Sequence, residues 1–208
     1  MKGTSHMVIG AGAGFLTANV LQTDPTGTMI LVGLGAISGL MPDVDIDGKL
    51  SNKITISHKV LRSAVQCISV LLTMISYIWG SGVYKWLGIG AGLLIFFLSS
   101  FIRQRRMLTI TGIALFSGGL YFNLSWLWML GIFITAASFV PHRSYTHSFL
   151  GVIAFGFICY QLEASLERNG VFIACLLGYM SHLIADMKLL PFNKKGIKLF
   201  LPFSNREI

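Results

Sequence analysis

The sequence predicts an all-α fold, a polytopic helical bundle of about eight apolar helices (six to eight) that forms one integral membrane domain over residues 1–208. The first observation is composition, because 54% of the residues are hydrophobic and only 12% are charged, whereas a soluble domain carries about a quarter charged residues. The second is a mean hydropathy of +0.72. The third is a series of apolar runs whose lengths approach the roughly 20 residues that cross a bilayer.

Eight apolar runs follow one another along the chain. The first two are short for a bilayer crossing, and the run 28–41 fits a re-entrant or tilted element as well as a span. Some runs carry glycines spaced four apart, which let helix backbones approach closely in lipid. These pairs are Gly10/Gly14, Gly35/Gly39 and Gly88/Gly92. The runs lie at roughly 7–21, 28–41, 64–80, 86–102, 107–122, 124–140, 148–163 and 170–187.

The basic residues are distributed unevenly between the connections. If the eight runs cross the membrane in alternating directions, the connections between them lie alternately on its two sides. The side that carries both termini then holds 14 of the 16 Lys and Arg residues, and the other side holds only Lys85 and Arg168. Cytoplasmic segments of membrane proteins are enriched in Lys and Arg, so this asymmetry places the N- and C-termini in the cytoplasm. It also accounts for the net charge of +8 without nucleic acid, and we expect no direct nucleic-acid partner.

The cysteines do not indicate a disulfide framework. Cys67, Cys159 and Cys175 are odd in number, widely spaced, and each lies inside an apolar run. This pattern also argues against a cysteine-based zinc site. We expect the three thiols to behave as small apolar side chains.

The segment 141–148 concentrates polar groups between two apolar runs. It contains two of the five histidines, His142 and His147, with Arg143 between them. Ionisable side chains at the edge of a membrane are costly to place and usually face a site rather than lipid. The two histidines are five residues apart and share no helical face, so a common site requires a bend, which Pro141 permits. For Arg143, a role in binding phosphate and a role as a basic anchor at the membrane face both remain open.

Two further clusters carry donors suited to a metal. His182 and Asp186 are spaced i, i+4, which places both on one helical face as a metal-binding pair or as a polar helix end. Asp43 and Asp45 alternate in a segment that, if extended, points both carboxylates the same way. Carboxylates so close repel one another unless a cation neutralises them. A solvated acidic turn is the alternative, and it is the better explanation for Asp47.

His6 precedes the first apolar run, and His58 lies in a basic amphipathic stretch that fits a surface helix better than a metal ligand. In the alternating topology all five histidines and the aspartates at 43, 45, 47 and 186 fall on the same membrane side. Imidazole and carboxylate are both ligands of Zn, Mn and Fe. We therefore predict one metal site at the cytoplasmic face.

The order of these motifs resembles the YdjM-like family of bacterial inner-membrane proteins, described as metal-dependent hydrolases. The motifs are His6, then 42–45 (PDVD), 142–148 (HRSYTHS) and 178–186 (GYMSHLIAD), and the tail 196–204 (GIKLFLPFS) is similar to the family's ending. That family is distantly similar to zinc-dependent phospholipases C and related nucleases, which are helical proteins with His/Asp multi-metal sites. The resemblance implies a multi-pass protein of the bacterial inner membrane. It also implies seven metal ligands, namely His6, Asp43, Asp45, His142, His147, His182 and Asp186.

Two features depart from the family pattern. Ile46 stands where members often carry a histidine directly after the Asp-x-Asp pair. The four apolar runs between 64 and 140 look like a four-helix insertion that is longer than expected of the family. These helices could shape a lipid pocket or a different partner surface.

The leading hypothesis is a membrane-embedded hydrolase that uses two or more divalent ions, Zn or Mn, to cleave a phosphoester. Asp45 or Asp186 would accept a proton, and Arg143 would bind the substrate phosphate. A phospholipid or isoprenoid phosphate is the natural substrate for a site at the lipid boundary. One alternative is a non-catalytic anchor or regulator that binds a cytoplasmic protein partner. The other, a metal-ion transporter, predicts ionisable groups near mid-membrane, which the runs between 64 and 140 lack apart from Lys85.

Overall fold

The structure is a computed structural model that describes residues 3–44, 58–101, 104–141, 143–188 and 196–208, with only the backbone described at 58–60 and 104–105. Within these ranges it contains eight α-helices, two short 3₁₀ helices and no strand. The all-α prediction is therefore confirmed. The helices are α1 (Gly3–Val20), α2 (Pro25–Ser38), α3 (His58–Trp79), α4 (Gly82–Ser99), α5 (Gln104–Tyr121), α6 (Ser125–Ala137), α7 (Phe149–Leu166) and α8 (Val171–Asp186), and the 3₁₀ helices are Met41–Val44 and Tyr145–His147.

The eight helices coincide with the eight apolar runs to within a few residues at most ends. Three of them contain segments long and apolar enough to cross a membrane, namely Leu61–Trp79, Gly82–Ser99 and Phe149–Leu166. The helices α2, α6 and α8 are apolar but shorter, with 14, 13 and 16 residues. A span needs at least about 17 residues, so α2 is short for a crossing, as the run 28–41 suggested. The number of crossings stays a prediction.

The chain divides into two compact units, one formed by Met1–Ser51 and Leu108–Ile208 and the other by Asn52–Met107. The hydrophobic core of the first unit surrounds Tyr179 of α8, which is fully buried. The ring of Tyr179 stacks on Phe155 of α7 with 4.8 Å between the ring centroids. Its hydroxyl donates a hydrogen bond to the carbonyl oxygen of Thr146. This core contact fixes the second 3₁₀ helix against α8.

In the first unit, α1, α2 and α8 pack with their backbones in direct contact at glycines. A methyl group on Gly39 would lie 2.6 Å from the carbonyl oxygen of His6, and one on Gly178 would lie 2.5 Å from that of Gly35. A methyl group on Gly10 would also collide with the carbonyl of Gly35. The close approach predicted from the glycine spacing of α1 and α2 is therefore confirmed.

Polar groups cap the helix ends that lie away from His6. Asp24 precedes α2, and its Oδ1 accepts a hydrogen bond of 2.8 Å from the backbone N–H of Gly27. Asp24 Oδ1 also lies 3.4 Å from Nη1 of Arg168. At the first turn of α8, Glu163 Oε2 accepts a 2.8 Å bond from the N–H of Phe172. These contacts satisfy donors that a helix N-terminus leaves open.

The second unit is built on a hairpin of α3 and α4. The glycines of α4 face hydroxyl-bearing residues of α3, because a methyl group on Gly88 would collide with Ser76 and one on Gly92 with Thr73. The predicted close approach at this glycine pair is confirmed. Lys85, at the start of α4, places its Nζ 4.5 Å from the ring centroid of Tyr77.

Candidate metal centre

Five ionisable side chains from four separate segments meet inside the first unit. His6 comes from the first turns of α1, and Asp43 comes from the 3₁₀ helix that follows α2. His147 ends the second 3₁₀ helix, and His182 and Asp186 share one face of α8 at the spacing i, i+4. All five are buried, none being more than 4% exposed. The chain therefore brings together groups that are up to 180 positions apart in sequence (186 − 6).

The donor atoms of these side chains lie within 4.8 Å of one another in two overlapping groups. One group is formed by His6, His182 and Asp186, and the other by Asp43, His147 and His182. Nε2 of His182 lies 3.6 Å from Oδ1 of Asp43 and 3.7 Å from Oδ2 of Asp186. Nε2 of His147 lies 3.8 Å and 4.0 Å from the same two oxygens. Nε2 of His6 lies 3.4 Å from Oδ1 of Asp186.

Neighbouring groups orient two of the imidazole rings. Nδ1 of His182 donates to the carbonyl oxygen of Gly39 at 2.7 Å, which leaves its Nε2 directed at the carboxylates. Nδ1 of His147 lies 3.1 Å from Oγ1 of Thr146. A hydrogen bond at one ring nitrogen selects the tautomer whose other nitrogen can bind a metal. The carbonyl of Gly39 therefore prepares Nε2 of His182 as a ligand, and Thr146 does the same for His147 when its hydroxyl accepts a hydrogen bond from Nδ1.

The three rings also pack on one another. The ring of His182 stacks on that of His6, with 3.8 Å between centroids and 21° between the planes. The ring of His147 meets His182 edge-on at 5.2 Å and 67°. This packing leaves the imidazoles little freedom to rotate, so their order does not depend on a single hydrogen bond.

Arg143 contacts the carboxylate of Asp186 from the more exposed side of the cluster. Its Nη2 lies 3.1 Å from Oδ2 of Asp186, and its side chain is 24% exposed whereas that of Asp186 is 4% exposed. The backbone of Arg143 has φ +60°, in the left-handed region where a residue other than glycine costs about 1–2 kcal/mol. Such strain persists only where the surroundings enforce it, and it is often found at functional sites. Arg143 is thus the member of the cluster that reaches toward the surface.

The chemistry of the donor set fits a divalent transition metal. Burying five ionisable groups is costly unless they are paired or coordinate an ion. Nδ1 of His6 is buried and has no hydrogen-bond partner among the described residues. For ligand bonds of about 2.0–2.2 Å, tetrahedral donors are separated by about 3.3–3.6 Å, and the nitrogen–oxygen pairs of the cluster lie 3.4–4.0 Å apart. Three imidazoles with two carboxylates suit Zn, Mn or Fe.

Five of the seven ligands that the resemblance implied are brought together here. The other two, Asp45 and His142, lie outside the described residues, as does Asp47. His58 begins α3 in the second unit, and its side chain is outside the described part of the chain. The predicted bend near Pro141 agrees with α6 ending at Ala137.

Sequence reasoning missed the groups that support the ligands. The carbonyl of Gly39 could not be assigned a partner from sequence, although its place in a close-packing glycine pair marked it as a contact point. Thr146 and Tyr179 lie inside two of the sequence motifs, and nothing in the sequence assigns either of them a role. For Thr146 and Tyr179 the only sequence signal is a position next to, or one helical turn from, a histidine.

The fold and the buried cluster together define a class, an α-helical membrane protein with a His/Asp constellation able to bind a divalent metal. The chain belongs to the family described as YdjM inner membrane protein, whose model matches residues 1–208. Family membership and the apolar helices establish a membrane protein of the inner-membrane type. No curated protein matches the chain, and no solved structure matches it.

Proposed function

We propose that this protein is a membrane-embedded, metal-dependent hydrolase that acts on a phosphoester at the cytoplasmic face of the bacterial inner membrane. The observation that carries the proposal is the convergence of His6, Asp43, His147, His182 and Asp186, all buried, with donor atoms within 4.8 Å in two overlapping groups. A structural role alone would not require so many buried ligand groups, because each loses hydration when it is buried.

The donors divide naturally between two ions. His182 gives its Nδ1 to Gly39, so only its Nε2 can bind, and it can serve one ion. Asp43, His147 and His182 would hold that ion. His6 and Asp186, whose Nε2 and Oδ1 lie 3.4 Å apart, would contribute to the site of a second ion. Asp45 and His142 are proposed to complete the second set.

In the proposed reaction the metal ion, the carboxylates and Arg143 would have different roles. A bound divalent ion would lower the pKa of water from about 16 toward 7 and polarise a phosphoryl oxygen. Asp45 or Asp186 would accept the proton of the attacking water. Arg143 is partly exposed beside the buried cluster, and its planar guanidinium can bind two phosphate oxygens at once. Its ion pair with Asp186 would hold that carboxylate in place before substrate binds.

The position of the cluster favours a substrate that resides in the membrane. His6 lies at the start of α1 and Asp186 at the end of α8, and Asp43 and His147 lie in short 3₁₀ helices between α-helices. The donors therefore lie near helix ends, which we place at the aqueous boundary of the membrane. A phospholipid or an isoprenoid phosphate would place its phosphate at this level. A metal-ion transporter would instead place ligands along the helices near mid-membrane, so this position argues for hydrolysis over transport.

Metal content and turnover of the purified full-length protein test the proposal. The protein in detergent is stripped with a chelator, reloaded with Zn or Mn, and assayed for phosphate release from phosphatidic acid and from an isoprenyl phosphate. We expect bound metal and turnover in the wild type, and loss of both in His182→Ala and Asp186→Asn. Asp24→Asn is the matched control, because Asp24 caps α2 away from the cluster and asparagine also caps helices well.

The number of ions gives a second readout. We expect about two ions per chain in the wild type and about one in His6→Ala, because His6 belongs to only one of the proposed ligand sets. A protein that binds no metal, or that releases phosphate equally well after Asp186→Asn, would remove the basis of the hydrolase proposal. Flux of Zn or Mn into proteoliposomes without phosphate release would favour transport instead.

A further inference from the structure

We infer that the groove between α6 and α7 binds a single hydrocarbon chain of the substrate and thereby selects phosphoesters that carry such a chain. This inference rests on the proposed function and adds to it a chain-binding site that lies outside the metal cluster. The groove has a volume of about 270 Å³ and belongs entirely to the first unit.

Small residues on both helices leave room for the groove. Ala137 at the end of α6 and Ala154 of α7 line it, and Phe133 contributes an aromatic wall. Gly151 forms part of the floor, and a methyl group added there would lie 2.6 Å from the carbonyl oxygen of Tyr145. At Gly151 the backbone of α7 therefore packs directly against the second 3₁₀ helix, and a larger residue there would push that helix away.

The groove adjoins the donor cluster. Thr146 lines it, and Oγ1 of the same residue lies 3.1 Å from Nδ1 of the metal-ligand candidate His147. Tyr145 also lines the groove and is 42% exposed. A ligand in the groove would thus lie against apolar side chains, with Thr146 between it and His147.

This arrangement fits one alkyl or isoprenyl chain with a phosphate at its end. The volume of about 270 Å³ lies just below the roughly 300–1,000 Å³ of pockets for drug-sized ligands, which suits part of one hydrocarbon chain. Ligand sites that are mostly apolar with a few converging polar groups commonly fix amphiphiles in one orientation. The apolar groove supplies affinity for the chain, and the polar cluster beside it positions the head group.

A second groove on α7 provides an internal comparison. It has a volume of about 460 Å³ and is lined by apolar residues that include Gly156 and Leu176. None of the five donor residues lines either groove, but the first contains Thr146, which contacts His147, and the second does not. We expect ordinary bilayer lipid there, without selection by head group.

Photo-crosslinking of the full-length protein in phosphatidylcholine vesicles tests the inference. The probes are a long-chain alkyl phosphate with a diazirine on the chain and the matching alkyl alcohol, and labelled positions are mapped by mass spectrometry. We expect the phosphate probe to label α6 and α7 residues of the first groove at least tenfold more than the alcohol does. Ala154→Phe should reduce that labelling about tenfold, whereas Gly156→Phe should not.

The two phenylalanine variants are matched because both add an aromatic ring to α7. A methyl group at Gly156 would meet only Leu176 Cδ1, at 3.8 Å, so the control position has space. Ala136→Phe on α6 is a second blocking variant, since Ala136 lines the first groove and is exposed. Metal content is measured for each variant, so that loss of labelling with retained metal reports on the groove rather than on folding.

The outcomes separate this inference from the proposed hydrolase function. Equal labelling by the alcohol probe, or labelling that both blocking variants leave unchanged, would show an ordinary lipid contact and overturn the inference. Head-group-selective labelling without phosphate release would keep the groove and reject hydrolysis. If turnover is present, we expect Ala154→Phe to raise KM about tenfold for a long-chain phosphate and to leave a short-chain phosphoester unaffected. An equal loss for both substrates would contradict chain selection.

Discussion

At the scale of residues, His182 is the common member of the two donor groups. Its Nδ1 is fixed by the carbonyl of Gly39, its ring is stacked on His6, and its Nε2 faces both carboxylates. Asp186 has a similar position among the oxygen donors, because it contacts imidazoles on one side and Arg143 on the other. The geometry of the cluster therefore depends on Gly39 and Arg143, which are not proposed ligands, as well as on the proposed ligands themselves.

Thr146 allows a test of the residues that orient the proposed ligands without binding an ion. Thr146→Val keeps the shape of the side chain and removes the Oγ1 contact to Nδ1 of His147. We expect metal affinity to fall about 10- to 100-fold, which is typical when a partner of a metal-binding histidine is lost. Competition with a fluorescent zinc chelator measures the change.

Thr17→Val is the matched control, because Thr17 is also buried but bonds only to the carbonyl of Ala13 within α1 among the contacts described. Equal zinc affinity in wild type and Thr146→Val would mean that Thr146 does not orient His147.

At the scale of elements, three helices bring the donors together through glycine contacts. Gly35 of α2 lies against Gly10 of α1 and Gly178 of α8. Since α1 carries His6 and α8 carries His182, the distance between these helices sets the distance between the imidazoles. Larger residues at the contact would separate the helices by more than a metal site tolerates.

Gly35→Ala tests the dependence of the site on this helix contact. The new methyl group would collide with the backbone carbonyl of Gly10 and lie 3.0 Å from the backbone N of Gly14. We expect a loss of about 1–3 kcal/mol in stability, as for an overpacked core, and a loss of bound metal. Thermal unfolding in detergent and metal analysis measure the two effects.

Gly33→Ala is the control on the same helix, since a methyl group at Gly33 meets nothing within 4 Å. It should leave stability unchanged or raise it by up to about 1 kcal/mol, because alanine favours helix over glycine. If Gly33→Ala and Gly35→Ala have the same effect on stability and bound metal, the close contact of α1, α2 and α8 does not set the distances between the donors.

At the scale of the whole molecule, bound metal should be linked to stability. The donors come from four segments of the first unit, so an ion that binds only the folded chain would stabilise it. At a free metal concentration 100 times Kd the gain is about 2.7 kcal/mol. We expect chelation to lower the Tm by roughly 5–10 °C, using the 2–4 °C per kcal/mol typical of chains of this length, and Zn or Mn to restore it. Asp186→Asn should show no such response.

The orientation of the chain in the membrane gives another whole-molecule prediction. Because 14 of the 16 basic residues fall on the side of the termini in the alternating topology, both termini should be cytoplasmic. Green fluorescent protein fused to either end should fluoresce, and alkaline phosphatase fused there should be inactive. Alkaline phosphatase inserted between α3 and α4, near Gly80, should be active. The reverse pattern would place the donor cluster on the outer side and contradict a cytoplasmic substrate.

Several features could be predicted from sequence because their signals are local. Apolar runs gave the eight helices, and the i, i+4 spacing of His182 and Asp186 gave a shared face. Glycine spacing gave the contact surfaces of α1 and α2. The orientation of the histidine rings could not be predicted from sequence. Gly39 contacts His182, which is far away in the chain. Thr146 contacts its neighbour His147 through a local backbone geometry that no periodic pattern encodes.

The sequence by itself determined that this is an α-helical membrane protein, which residue types could bind a metal, and that His182 and Asp186 share one helical face, since composition and helical periodicity are properties of short segments. Only the tertiary structure decided that the donor atoms of His6, Asp43 and His147 join those of His182 and Asp186 in two overlapping groups within 4.8 Å, and that an apolar groove opens between α6 and α7. The physical reason is that these approaches depend on how closely α1, α2 and α8 pack at their glycines, and on how the 3₁₀ helices are fixed between them. Such contacts between distant segments leave no period or spacing in the chain.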